Sequence, residues 1–309
     1  MNEMTTHPVD QAAVRRALSS LPAEAATKFA ARLCGSERAG TITAEETEIL
    51  CRESSFSCDR MMSAMVGVAK LFAKVPISGY PVGVVSLGAT TGGLFFGANV
   101  EYPGQPLEAC VHAEQAATIN AWAHDESGIV ALAGSISPCG LCRQFLWELA
   151  GADSLRIILP TGTTTLGALL PDPFGPTDLG QSPRLMHAAN HHLVLQTAND
   201  DAVVCRALAE ANRSYAPYTG SFSGAALQST TGRIFGGTYA ENAAYNPSLS
   251  PVAAAVSQMN VLTGIIDIAR AVLVQRVNEQ PKTDHAVAAS ALVSSLAASV
   301  TLECYTVID

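Results

Sequence analysis

The chain has 309 residues, enough for two domains. Nearly half of it is apolar and only 6% aromatic, so a core of Ala, Val, Leu and Ile is affordable. The formal net charge is −9 with no run of Lys or Arg, which argues against a polyanion partner and favours a small neutral one.

No apolar run is long enough to span a bilayer, and the stretch MNEMTTHPVDQAAVRRALSS, with its early acid, lacks the apolar core of a secretory signal. Cys34, Cys51, Cys58, Cys110, Cys205 and Cys304 are too sparse for a disulfide framework. They read as reduced, mostly buried thiols of an intracellular, cytoplasmic protein.

In chain order, residues 1–60 read as a helical lead-in without chemistry, and Thr43 ahead of Glu45 and Glu46 marks a helix start there. MMSAMVGVAKLFAKV reads as a buried helix ended before Pro76. The next stretch, PISGYPVGVVSLGATTGGLFFGANVEY, reads as a hairpin turning at Thr-Thr-Gly-Gly. CVHAEQAATINAWAHD predicts a helix, GIVALAGSIS a strand, CGLCRQFLWELAG a helix and LRIILPTG a strand. That order describes an α/β sandwich, a mixed sheet with helices on both faces.

Two stretches carry the chemistry. CVHAEQAA holds His112 and Glu114, and SPCGLCRQF holds Cys139 and Cys142. An imidazole and two thiolates suit Zn²⁺, and three protein ligands leave a tetrahedral ion one position for water. Both motifs fall at helix starts, where unpaired N–H groups favour thiolates. Glu114 is then a carboxylate free to move protons.

From about residue 199 the sequence repeats itself. Pro76 aligns with Pro217, Gly83 with Gly224, Gly92 with Gly232 and Glu101 with Glu241, which predicts two domains of one fold. Carrying that offset on places Val252 opposite His112 and Ala254 opposite Glu114, and no Pro-Cys-x-x-Cys follows, so the repeat has no zinc site. The expected organisation is a lead-in (1–60), a catalytic zinc domain (61–190) and a degenerate repeat of it without a zinc site (191–309).

The pattern H-x-E followed by P-C-x-x-C resembles that of zinc deaminases acting on nucleosides and nucleobases. With GANVEY, VHAEQAA, PCGLCRQF, PFGPTDL, ANRSYAPY and YAENAAYNP, the chain from about residue 65 onward resembles the long, homodimeric cytidine deaminases of enteric bacteria and plants. The resemblance implies a duplicated αβα sandwich with one Zn²⁺ per subunit. It implies hydrolysis of cytidine and deoxycytidine in pyrimidine salvage, by zinc-activated hydroxide attacking C4 while Glu114 shuttles the proton. It also implies that Asn99 and Glu101 hold the ribose 3′-hydroxyl, that Tyr80 (where Phe is more usual) and Phe174 flank the pyrimidine ring, and that the Ala113 backbone accepts from the exocyclic amine. Glu241 to Ala244, with Ala243 and Ala244 as contacts, would reach the partner subunit's site, giving composite active sites. Gln115, in place of the Arg of short three-Cys relatives, fits a zinc site already neutral with two thiolates.

Other features read as ordinary. His187, His191 and His192 look like a solvated interdomain segment, the Gly-rich turns lack the Gly-Lys-Ser/Thr of a phosphate loop, and Trp122 and Trp147 look like packing. A polynucleotide-editing deaminase would need a basic groove, a deoxycytidylate deaminase a cation near the ribose contacts, and a zinc-stabilised binding protein would not need Glu114.

Overall fold

The computed structural model describes residues 9–35, 39–182, 184–277 and 283–308; the remaining positions, including parts of the lead-in, lie outside that description. The lead-in forms α1 (Gln11–Ala17), α2 (Ala23–Gly35), the two-residue strand β1 (Thr41–Ile42) and α3 (Ala44–Ser54). Thr43 and Glu46 close a reciprocal cap at the start of α3: the Glu46 N–H donates to Thr43 Oγ1, and Thr43 N–H to the Glu46 carboxylate. Next come α4 (Cys58–Ala69), β2 (Gly83–Gly88), β3 (Leu94–Ala98), α5 (Ala113–Ala123), β4 (Ile129–Gly134), α6 (Gly140–Leu146), β5 (Arg156–Leu159), β6 (Gly162–Thr165) and the short α7 (Leu166–Leu169). These strands make one mixed sheet in the order β1-β3-β2-β4-β5-β6, parallel only between β4 and β5. The lead-in thus contributes an edge strand as well as helices.

The second half runs β7 (Val194–Leu195), α8 (Ala202–Arg213), β8 (Ser223–Ser229), β9 (Ile234–Thr238), α9 (Pro251–Thr263), β10 (Ile268–Arg276), α10 (Ala286–Leu296) and β11 (Leu302–Ile308). Its sheet, in the order β7-β11-β10-β8-β9, pairs β10 with β11 in parallel as β4 pairs with β5. Among the described residues no helix is long and apolar enough to cross a membrane.

Alternation along the strands sorts side chains into layers. Val84 and Phe95 of the first sheet and Ala225, Leu227 and Leu273 of the second face one shared core, filled by α5 and α9 from between. The opposite faces pack separately: Val85, Phe96 and Ala98 under α4 and the lead-in helices, Ala226, Val272 and Val274 under α8. The two halves are therefore two αβα sandwiches whose inner helices share one core.

The structure corrects the register of the repeat. A Cβ on Gly97 would stand 2.1 Å from the Ala113 carbonyl oxygen and 2.2 Å from the Ala117 nitrogen; on Gly237 it would stand 2.1 Å from that of Pro251 and 2.2 Å from that of Ala255. Ala113 therefore corresponds to Pro251, Ser250 to His112 and Val252 to Glu114. The connection from β9 to α9 is two residues shorter than that from β3 to α5, so a constant offset overshoots.

Two smaller expectations also change. Cys34, Cys205 and Cys304 are exposed and Cys51, Cys58 and Cys110 partly so, because they lie on outward or boundary faces of their elements; all are free thiols. His187 and His192 are exposed, but His191 stacks on Phe222 with ring centroids 3.7 Å apart, its Nε2 2.7 Å from the Ser214 carbonyl oxygen. No helix forms there.

The contact at Gly97 is backbone against backbone and cannot relax by a side-chain turn. Gly97→Ala and Gly237→Ala should each lower unfolding free energy by about 1–3 kcal/mol or more, read by denaturant titration.

Candidate metal centre and substrate cavity

The first sheet delivers two helix N-termini to one point. His112 is the residue capping α5 and Cys139 the one capping α6, both in extended backbone (φ −85° and −68°), while Cys142 lies buried in the first turn of α6. Nδ1 of His112 is 3.5 Å from Cys139 Sγ and 3.3 Å from Cys142 Sγ, and the sulfurs are 3.6 Å apart. Bonds of about 2.3 Å to sulfur and about 2.0–2.1 Å to nitrogen put ligand atoms roughly 3.6–3.8 Å apart in a tetrahedron. The three donors fit one zinc ion to within a few tenths of an ångström. Among the described residues they are the one group of His, Cys, Asp and Glu side chains close enough to hold an ion together.

The hydrogen bond between the two sulfurs, together with N–H donors in the first turn, lowers Cys139 to about 5 against the opposing effect of burial. The same bond, with burial, pushes Cys142 up. Arg143 holds the turn, its Nε donating to the Pro138 carbonyl at 2.9 Å, one Nη to Leu169 at 2.8 Å and the other to Ser137 Oγ at 3.1 Å.

A cavity of about 340 Å³ opens on the ligands, within the range of small-molecule sites. Glu114 lies in its wall, 6% exposed, and burial raises its carboxyl above the ordinary carboxylate range. Asn99, Glu101, Ala113 and Tyr80 also line it, as do Cys110 and Ser137. No Lys or Arg does.

Asn99 Oδ1 accepts from Val82 N–H at 2.9 Å and its Nδ2 donates to the Tyr80 carbonyl at 3.1 Å, so the amide shapes the 80–82 loop. Glu101 accepts from the N–H groups of Ile77 (2.8 Å) and Ser78 (3.0 Å) and from the Ser78 hydroxyl. Burial alone would raise this carboxyl, but those three donors hold it below its usual value. Tyr80 stands at the mouth, 58% exposed.

The Ala113 carbonyl points along α5 against Gly97, away from the cavity, because it belongs to the first helical turn. What Ala113 presents is an N–H with no acceptor inside the helix. Phe174, Ala243 and Ala244 do not line this cavity. Phe174 is exposed, with its carbonyl held by Gln144 Nε2 at 2.7 Å. The N–H of Ala243 donates to Glu148 at 2.8 Å and that of Ala244 to Asn242 Oδ1 at 2.9 Å.

Sequence reasoning missed Ser137 and Cys110, although each adjoins a motif already in hand. It also missed the buried Glu148, which nothing in the one-dimensional pattern marks. Gln115, neutral where short relatives carry an Arg, is engaged by hydrogen bonds: Oε1 accepts from His112 N–H and Nε2 donates to the Pro247 carbonyl, both at 3.0 Å.

Comparison with known proteins bears on the same residues. Two stretches, 57–156 and 166–288, match family models described as the cytidine and deoxycytidylate deaminase zinc-binding region. A cytidine deaminase of Yersinia pestis (strain Pestoides F) is 44% identical over 237 residues, 76% of this chain and 79% of that protein. One of Photorhabdus laumondii is 43% identical over 236 residues, with the same coverage. Among solved structures, a cytidine deaminase from Mycobacterium tuberculosis is 32% identical, covering 38% of this chain and 96% of its own, with a TM-score of 0.35.

Purified protein should hold about one zinc ion per chain by atomic absorption, and His112→Ala or Cys142→Ala should reduce this to near none.

Proposed function

The chain belongs to the cytidine deaminase family, a zinc hydrolase, and from that premise we propose how its residues perform the reaction. The substrates are cytidine and deoxycytidine, converted with water to uridine or deoxyuridine and ammonia, in the service of pyrimidine salvage in the cytoplasm. The observation that carries this reading is the buried Glu114 beside a tetrahedral-fitting His112, Cys139, Cys142 set in a nucleoside-sized cavity.

His112, Cys139 and Cys142 would hold zinc, which would supply Lewis-acid activation of a water. Glu114 would take one proton from the attacking water and pass it to N3 of the pyrimidine as the oxygen adds to C4. The same carboxyl would then take the proton of the hydroxyl added at C4 and deliver it to the departing amine, which leaves as ammonia. A carboxyl raised by burial suits both tasks, since it neither holds its proton too weakly nor is screened by water. The Ala113 N–H, at the start of α5, is the donor we assign to the pyrimidine, in place of its carbonyl.

Asn99 and Glu101 face the sugar. Glu101 has spent lone pairs on Ile77 and Ser78, but a carboxylate has about four acceptor sites, and one remains for a ribose hydroxyl. Among the described residues the cavity lining carries acids and no Lys or Arg, which favours a nucleoside over a nucleotide.

We further assign a homodimer with composite sites. Tyr80 and Leu107 at the cavity, and Tyr245 on the repeat's loop, leave more than half their surface open. An apolar rim left to water is what a second copy would cover, bringing the 241–244 stretch and Phe174 to the sites.

Loss of cytidine absorbance in the ultraviolet tests the chemistry. Wild type should turn over both nucleosides and neither deoxycytidylate nor a C-containing oligonucleotide. Glu114→Gln should keep its zinc and lose roughly 10²–10⁴ in kcat. Silence on all substrates with zinc bound would sink the proposal. For the dimer, sedimentation equilibrium should return twice the chain mass of 32.1 kDa. A fully active monomer would refute the composite site.

A further inference from the structure

The zinc-less half reaches the metal centre of its own chain. Its connection between β9 and α9 lies against both helices that bear metal ligands. On α5, His112 sits where a Ser, Thr, Asp or Asn would ordinarily cap the helix, and its ring faces the two sulfurs instead. Gln115 answers for it. One buried amide accepts from the His112 N–H and donates to the Pro247 carbonyl, linking the backbone of a metal ligand to the repeat.

The second grip is on α6 and the residues that end it. Asn242 Nδ2 donates to the Gln144 carbonyl at 2.9 Å. Glu148, with no exposed surface, accepts from the Ala243 N–H and from the hydroxyls of Tyr215 and Tyr218, both at 2.7 Å. All three donors belong to the second half. The loop itself is braced, its Asn242 N–H bonded to Ser248 Oγ at 2.9 Å.

The repeat supplies an internal comparison. Its own counterpart of His112, Ser250, caps α9 through its hydroxyl to the Ala253 N–H at 3.3 Å, and Ala253 stands where Gln115 does. Where no metal is held, an ordinary cap suffices and no brace is present at that position.

We propose that the repeat clamps the metal centre: its 242–247 loop, through Gln115, Gln144 and Glu148, fixes the helix of His112 against that of Cys139 and Cys142 and so sets how tightly zinc is held. These are positioning residues, acting through the ligands.

Zinc release from the full-length holoprotein to a chromogenic chelator tests this, measured beside the melting temperature. Gln115→Met removes the brace on α5, and Asn242→Ala loosens the loop on α6. A control, Arg213→Met, cuts a different contact between the halves, the 2.7 Å bond from Arg213 to the Trp122 carbonyl at the far end of α5. Gln115→Met and Asn242→Ala should release zinc about 10–100-fold faster than wild type. Arg213→Met should melt lower yet release zinc at the wild-type rate. Wild-type release from both loop variants, or faster release from Arg213→Met in step with its melting temperature, would overturn the clamp; should Asn242→Ala not fold, Gln115→Met decides alone. No substrate enters this assay, so zinc-loaded protein without deaminase activity would sink the functional reading and leave the clamp standing.

Discussion

Three donor atoms from two helices must meet within a few tenths of an ångström, and nothing in a helix by itself can arrange that. The distance between His112 and the two cysteines is set by how α5 lies on β3 and how the turn after β4 enters α6. The first is fixed by Gly97, whose missing Cβ lets the backbone of α5 touch the strand. The second is fixed by Arg143, which ties Pro138 and Ser137 to Leu169 across the sheet edge. Burying charged guanidinium donors against carbonyl oxygens is worthwhile where a geometry must be held, since charge-assisted bonds are among the stronger polar ones. The pattern of close glycine contact recurs at Gly237 in a half without metal, so it is a property of the fold that the metal site has exploited.

The duplication also separates architecture from chemistry at the sugar end. Glu101 binds Ile77 N–H, Ser78 N–H and the Ser78 hydroxyl, and Glu241 binds Tyr218 N–H, Thr219 N–H and the Thr219 hydroxyl. Two copies of one cradle, only one of them beside a metal site, mean that the glutamate's first task is to fold the loop before the hairpin. A role with ribose rests on the acceptor capacity left over. A motif residue can be indispensable to both halves and still have its catalytic meaning in one.

Much of this was legible in the chain because chemistry and punctuation lie close together along it. His-x-Glu and Pro-Cys-x-x-Cys each occupy one helix start, and the Thr43–Glu46 cap, the Thr-Thr-Gly-Gly turn and the strand alternation are local signals. What was not legible depends on length differences and distant partners. The two-residue shortening before α9 is invisible to a constant offset, which sets Val252 against His112 although it stands opposite Glu114. The direction of the Ala113 carbonyl is not readable from its place in the motif; only the helix geometry turns it toward Gly97. Gln115 and Glu148 find their partners more than 60 residues away, and no spacing rule reaches that far.

Two of the buried glutamates of the first half, Glu114 and Glu148, show how surroundings divide labour between like side chains. Burial raises both Glu114 and Glu148. Glu148 is met by two phenols and a backbone N–H that cannot leave, so its oxygens are occupied in every state of the protein and its use is to hold the halves together. Glu114 instead lies in the cavity wall beside Cys142, where a molecule entering the cavity can reach it. Glu148 therefore serves the packing of the two halves, whereas Glu114, in the cavity wall beside the metal ligands, is the one of the two that a bound molecule can reach.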